Sequence, residues 1–248
     1  MIKLGVLCSG RGTDLQSIID ATASGYGTVT VNGDITGDGT LTLNRTGVKG
    51  TGSTLDGGSD TPIAVSCPLV FESTLTSGFE GSAESYFGYG TYVVTGSVTG
   101  KGLLRFYSPA TLDTPLAFTG DDYACVTFYK TVTLNKPVTL GDNGAIGFCN
   151  SQTYGDDFVL NGSGTVYAKG VTPATTLQTN LRGNKSNTWT GVCELKSCTI
   201  DNLNVDNFGG EKSTVRLNGV TGYLAYANSG TKEFSVGTPL SSFMSMDL

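Results

Sequence analysis

Histidine is absent from this chain of 248 residues. Most general-base, nucleophile-activating and zinc chemistry near neutral pH uses imidazole, so whatever the chain does, it does without that group. Charge is scarce as well: Asp, Glu, Lys and Arg make up 15% of the residues, against about 25% in an average globular protein. The 21 acidic residues outnumber the 15 basic ones, for a net charge of −6. No block of Lys or Arg offers the clustered charge that neutralises phosphates, which excludes nucleic acid as a partner. No run of residues approaches the roughly 18 apolar positions of a membrane-spanning helix. Leu4–Cys8 is too short for the apolar centre of an export signal, and Arg11 and Asp14 follow at once.

Cysteine is present but unpatterned. Cys8, Cys67, Cys125, Cys149, Cys193 and Cys198 include no CxxC pair, so the spacing gives no zinc set. These thiols are expected to fill core positions as small apolar groups, with a disulfide left open for an exported chain. There is one tryptophan, Trp189. Glycine, by contrast, is in excess at 36 residues, about twice the usual ~7%.

The apolar residues sit in short runs of period two. Val29/Val31, Leu41/Leu43, Ile63/Val65, Val126/Phe128, Val132/Leu134, Val138/Leu140, Phe158/Leu160, Val166/Ala168 and Val215/Leu217 alternate with polar residues, as strands with one buried face do. Val192/Leu195, Ile200/Leu203/Val205 and Tyr223/Ala225 are read as further strands. Gly, Asn, Asp and Pro punctuate these runs, as at Gly141-Asp142-Asn143-Gly144 and Asn218-Gly219. The stretch Glu72–Gly90 breaks the alternation and reads as a loop or a bulged coil.

One phrase recurs. Thr28–Leu43 (TVTVNGDITGDGTLTL) returns as Thr91–Phe106 (TYVVTGSVTGKGLLRF), with seven of sixteen positions identical. A weaker third copy, Asn161–Tyr167, follows at nearly the same spacing. Strand-rich repeats of this kind stack on their neighbours. One third of the spacing is about 21 residues, a suitable length for one coil of a parallel β-helix. On that reading Val31, Ile35 and Leu41 lie beneath Val94, Val98 and Leu104, three coils apart, in one core. A β-sandwich is the rival, and the Asn-Gly and Asp-Gly pairs suit its hairpins. The fold expected is all-β: a parallel β-helix over residues 26–248.

Residues 1–25 differ in kind. Ile2–Leu7 suits a buried strand, Ser9-Gly10-Arg11-Gly12 a glycine turn, and Asp14–Ala23 a helix, the only one expected in the chain. Backbone N–H groups at such a helix start are suited to holding phosphate. Gly5-Val6-Leu7, Ser9-Gly10, Gly12-Thr13, Leu15-Gln16 and Ile18-Ile19-Asp20-Ala21 resemble the opening of glycinamide ribonucleotide formyltransferase. The resemblance implies phosphate binding at Gly12, Thr13 and Asp14. It covers about a tenth of the chain, and the Asn–His–Asp set on which that family's formyl transfer relies is lacking. A cap on the solenoid and a fused fragment are the other readings of this segment.

Carboxylates supply the remaining candidates. Gly-Asp-Asp occurs twice, at Asp121-Asp122 and Asp156-Asp157. Paired Asp residues on a β-helix resemble the acid and base pairs of pectin-hydrolysing glycosidases, although that family's Gly-His-Gly and Arg-x-Lys motifs are missing. Asp side chains capping turns are the other reading. Asp34, Asp38, Asp56 and Asp60 raise calcium, without the glycine-rich nonapeptide of calcium-binding solenoids. Trp189 is either a sugar-stacking platform or a core aromatic. No cofactor or metal set is recognised.

The Gly-x-Gly-[Thr/Leu]-[Leu/Val] cassettes, Asn184–Gly191 and Ser213–Gly222 resemble the passenger repeats of autotransporter-type bacterial surface proteins. The resemblance implies a right-handed parallel β-helix, a secreted or cell-surface setting, and adhesion or display toward host or surface glycans or proteins. The function expected is therefore a non-catalytic, adhesin-like solenoid module. A carbohydrate-active β-helix and a formyltransferase remnant with a phosphate loop are the alternatives.

Overall fold

A computed structural model describes residues 28–31, 33–44, 54–57, 61–80, 85–180, 188–203, 213–224, 233–236 and 244–246. The strand, glycine loop and helix expected within residues 1–25 lie outside them, as do their Gly12, Thr13 and Asp14. Asp60, Val205 and Ala225 also lie outside the described residues.

The chain winds into a parallel β-solenoid with three faces. Strands are numbered in chain order. Among the described residues face A carries β1 (Thr28–Val31), β3 (Thr54–Gly57), β6 (Ser85–Phe87), the second half of β8 (Val98–Phe106), β11 (Ala124–Phe128), β14 (Gly144–Phe148), β17 (Thr165–Lys169), β18 (Val192–Lys196), β20 (Thr214–Asn218) and β22 (Glu233–Val236). Face B carries β4 (Ile63–Val65), β7 (Tyr92–Val94), β9 (Ala110–Leu112), β12 (Val132–Leu134) and β15 (Gln152–Tyr154). Face C carries β2 (Leu41–Asn44), β5 (Leu69–Glu72), the first half of β8, β10 (Leu116–Phe118), β13 (Val138–Leu140) and β16 (Leu160–Gly162). Up to β16 each turn visits A, then B, then C. The pairings are parallel, and on each face a strand's neighbours come from the turns before and after it. That arrangement excludes the sandwich.

The core follows from the register. Adjacent parallel strands lie about 4.8 Å apart, so one residue type repeated in register becomes a stack. Phe87, Phe106, Phe128 and Phe148 occupy one column of face A. Their successive ring centroids lie 4.6, 5.2 and 5.9 Å apart in near-parallel stacks. Val98, Leu116, Val138 and Leu160 form a column on face C, and Val94, Leu112 and Leu134 one on face B. All are buried in one continuous cluster.

The repeated phrase takes a different register from the one its spacing predicts. Val31 lies on face A but Val94 on face B. Ile35 bridges Val65 on face B, whereas Val98 is on face C; Leu41 is on C and Leu104 on A. The second copy is thus displaced by one face, although both copies line the same core. The cause is coil length. Leu41, Leu69 and Val98 are successive positions on face C and mark two long turns, so the interval between the first two copies spans two turns and one face. Between the second and third copies the turns shorten: Val98, Leu116, Val138 and Leu160 succeed one another on the same face at closer spacing. There the expected three coils hold, and Leu104 leads through Val126 and Ile146 to Val166.

Glycine is required where these coils bend. Gly100 and Gly162 lie in the left-handed region, at φ 149° and 96°, and a Cβ at either would come within 2.1 Å of a carbonyl oxygen of the preceding coil. An L-residue meets both the torsional and the steric penalty at such a corner.

The body also contains a helix that the period-two reading did not anticipate, α1 (Val171–Asn180). It follows β17 and packs against β15, β17 and β19 (Thr199–Leu203), taking the place of a face-B strand. Pro173 sits in its first turn, where a missing N–H costs nothing, while Ala174 and Leu177 enter the core. Beyond the helix, β19, β21 (Thr221–Leu224) and β23 (Met244–Met246) form a separate parallel sheet, with a register shift between Ile200 and Leu203. In β18 the inward residues are Cys193 and Leu195, and Val192 faces outward, which corrects the Val192/Leu195 pairing.

Candidate functional site

The two Asp pairs stand at different corners of the solenoid. Asp121 and Asp122 are exposed in the turn from β10 to β11, between faces C and A; Asp156 and Asp157 are exposed in the turn from β15 to β16, between faces B and C. The topology therefore does not bring them to one cleft. The Asp121 carbonyl accepts a hydrogen bond from Asn143 Nδ2 at 2.7 Å. Asp157 pairs with Lys136 at 2.8 Å, and Lys136 also approaches Asp113 at 3.9 Å. These ties run from turn to turn at a corner. Asp34 and Asp56 do similar work: their Oδ1 atoms accept from the Ala64 and Tyr89 N–H groups, at 2.8 and 3.1 Å. Among the described residues no three His, Cys, Asp or Glu side chains gather as a metal set.

Trp189 is fully buried. It bridges Gly162 on face C, and its indole N–H donates to the Gly164 carbonyl at 3.3 Å. Of its two sequence readings the core aromatic is the one realised, because the ring fills the bend between faces C and A and has no surface left for a sugar. An apolar gap lies between Leu134, Phe148, Phe158, Leu160 and Leu177. At about 10 Å³ it is at the lower limit for one water.

Cysteine follows the expectation of buried thiols among the described residues. Cys67, Cys125, Cys193 and Cys198 are buried and Cys149 is partly so. Burial pushes the Cys125 and Cys198 thiols up to about 11, which keeps them protonated and unreactive.

The most elaborated surface is the outside of face A, which the sequence reading did not single out. The second half of β8 together with β11 and β14 is buried on both sides. What covers the outside is residues 73–80, which leave β5 and lie across face A. Leu103 N–H donates to Ser73 Oγ at 2.6 Å, and the Tyr123 hydroxyl donates to the Gly78 carbonyl. The Phe79 ring packs 4.7 Å from that of Tyr167 and belongs to a second apolar cluster with Leu103, Cys125 and Ala145. A Cβ added to Gly147 would stand 3.4 Å from that of Phe79 and 3.0 Å from Thr127 Oγ1, so glycine leaves room for the strap. Glu80 then pairs with both Lys169 and Lys196, the latter at 2.6 Å.

Beneath this strap Arg105 is 6% exposed. Its guanidinium donates to the Tyr107 hydroxyl at 3.0 Å and the Phe79 carbonyl at 3.2 Å, and lies 5.3 Å from the centre of the Tyr129 ring. Burying an arginine is costly unless its donors are occupied, and here the strap's own backbone supplies an acceptor. Burial pushes the Tyr129 phenol up to about 12. A sequence sign of this covering exists: Ala124-Cys125-Val126-Thr127-Phe128 and Gly144-Ala145-Ile146-Gly147-Phe148 carry no charged residue on the outward positions, as strands buried on both faces do.

Known protein families, curated proteins and solved structures were all compared with this chain, and none matches.

Proposed function

We propose that the chain is a non-catalytic β-solenoid module of secreted or cell-surface type that presents its flat outer faces to host or surface glycans or proteins, as an adhesin does. The observation that supports the reading is the outer surface of faces B and C. Thr111, Thr133 and Thr153 stand in one outward column of face B, and Thr139 and Asn161 lie on successive outward rungs of face C. Such ladders give a rigid, regularly spaced, hydrogen-bonding surface, suited to a long partner held at many weak points. The described carboxylates of Asp34, Asp56 and Asp157 are meanwhile engaged in ties between coils.

The test is to pass the purified chain over immobilised polysaccharides and to follow retention and release of new reducing ends together. Retention without cleavage supports display. Cleavage that disappears in Asp121→Asn/Asp122→Asn or Asp156→Asn/Asp157→Asn variants would replace this reading with the carbohydrate-active one.

A further inference from the structure

We propose that residues 73–80 are an acid-sensitive latch, a strap closed over face A by the Glu80 carboxylate lodged between Lys169 and Lys196. This inference is independent of the functional reading above.

The two lysines are register partners on the adjacent strands β17 and β18. Like charges directly opposite each other in a sheet are destabilising, and Glu80 bonds to both. One carboxylate therefore does two things: it ties down the far end of the strap and it neutralises a lysine pair. The other polar ties of the strap do not change charge in mild acid. Ser73 Oγ accepts from the Leu103 N–H, the Gly78 carbonyl from the Tyr123 hydroxyl, and the Phe79 carbonyl from Arg105.

The titratable and charged neighbours act in the same sense. Lys169 and Lys196 face Glu80 from β17 and β18. Tyr129 and Cys149, which follow β11 and β14, both sense the Glu80 charge, and burial raises both. They stay neutral in acid, while Arg105 and the two lysines stay positive. The hydrogen bonds from Lys169 and Lys196, in that order, hold the Glu80 carboxyl below the usual carboxylate range. A depressed carboxylate contributes stability that is complete above its unfolded value and is lost as pH falls through the folded one. Protonation thus removes both ion pairs and leaves two ammonium groups facing each other under the strap's end. Opening there uncovers Leu103, Cys125 and Ala145, the apolar surface that Phe79 closes.

Cys125 is fully buried beneath the strap and reports its opening. The experiment measures labelling of Cys125 by a thiol reagent in the full chain, resolved by peptide mass spectrometry, for the parent and for Glu80→Gln. At about pH 7 the variant should label about three- to tenfold faster, the range for loss of two partly exposed ion pairs. The ratio of variant to parent cancels the reagent's own pH dependence, and it should fall to one only below the usual carboxylate range, because the two lysines hold the Glu80 carboxyl down. Lys196→Met keeps the Glu80–Lys169 pair and removes the facing ammonium, so at neutral pH it should accelerate labelling less than Glu80→Gln does. Phe79→Ala tests the reporter and should label faster at every pH. Equal rates for Glu80→Gln and the parent at neutral pH would overturn the latch, as would a Phe79→Ala variant that leaves Cys125 protected. Parallel acceleration at the core thiol Cys193 would also overturn it, because it marks global unfolding.

Discussion

Strands β11 and β12 follow one another in the same turn, yet they live in different surroundings. β12 buries Val132 and Leu134 and leaves Thr133 half exposed, whereas all five residues of β11 are buried. The neighbouring pair β13 and β14 repeats the contrast. Inward burial is the same on every face, because each coil covers the apolar side of the next. The difference lies outside: faces B and C meet solvent, while face A, at β8, β11 and β14, meets a piece of its own chain. A solenoid face is thus not polar by necessity. It is polar where nothing crosses it.

The comparison breaks most severely if the shared inward layer is damaged. Phe128→Ala leaves a hole between the rings of Phe106 and Phe148 and should cost about 3–5 kcal/mol, read as a lower denaturation midpoint. Thr133→Ala, on the open outside of face B, should shift the same midpoint by no more than about 0.5 kcal/mol. If the two variants were equal, the core columns would not be carrying the fold.

A smaller effect tests the covered side alone. Phe79→Ala removes the ring that packs on Tyr167 and should cost about 2 kcal/mol, the worth of burying one large apolar side chain. Its loss should appear in hydrogen exchange at β8, β11 and β14 before it appears at β9, β12 or β13. Gly147→Ala places a methyl group against Thr127 and the strap and should cost about 1–2 kcal/mol by overpacking, with the same distribution of exchange. The equivalent outward position on face C, Thr139→Val, should show neither.

The smallest expected effect is a gain. Gly170, Ser197 and Gly219 follow β17, β18 and β20 at one corner of successive coils, at φ 96°, 50° and 63°. Only Ser197 carries a Cβ there. Ser197→Gly should raise stability by up to about 1 kcal/mol, because an L-residue in the left-handed region is strained by about 1–2 kcal/mol and glycine's extra freedom when unfolded returns part of the gain. An unchanged or lowered thermal midpoint would show that Ser197 makes a compensating contact.

Much of the alternation was legible residue by residue. Val126/Phe128, Val132/Leu134, Val138/Leu140 and Val215/Leu217 all point inward as their period indicates, because side-chain direction in a strand depends only on position parity. Helix α1 was not legible. Its Thr-rich sequence, Val171-Thr172-Pro173-Ala174-Thr175-Thr176-Leu177, has weak helical propensity and only a narrow apolar stripe. Contacts from Ala174 and Leu177 to the core make up that deficit. Trp189 remained ambiguous in sequence because a single tryptophan carries no period, and only its place at the bend toward Gly164 decided its burial.

The sequence by itself determined the local alphabet of this protein: strands of period two, glycine corners that L-residues occupy only under strain, and a core built from repeated apolar pairs. Those properties follow from backbone geometry within a few residues. Tertiary structure alone decided where the repeats fall. The same glycine phrase serves a different corner in the long coils through Leu41, Leu69 and Val98 than in the shorter ones through Leu116 and Val138. Tertiary structure alone also decided that face A is covered at β8, β11 and β14. Glu80 meets Lys169 and Lys196 across 89 and 116 residues of chain. No local pattern encodes such a contact, because it exists only after the intervening coils have stacked.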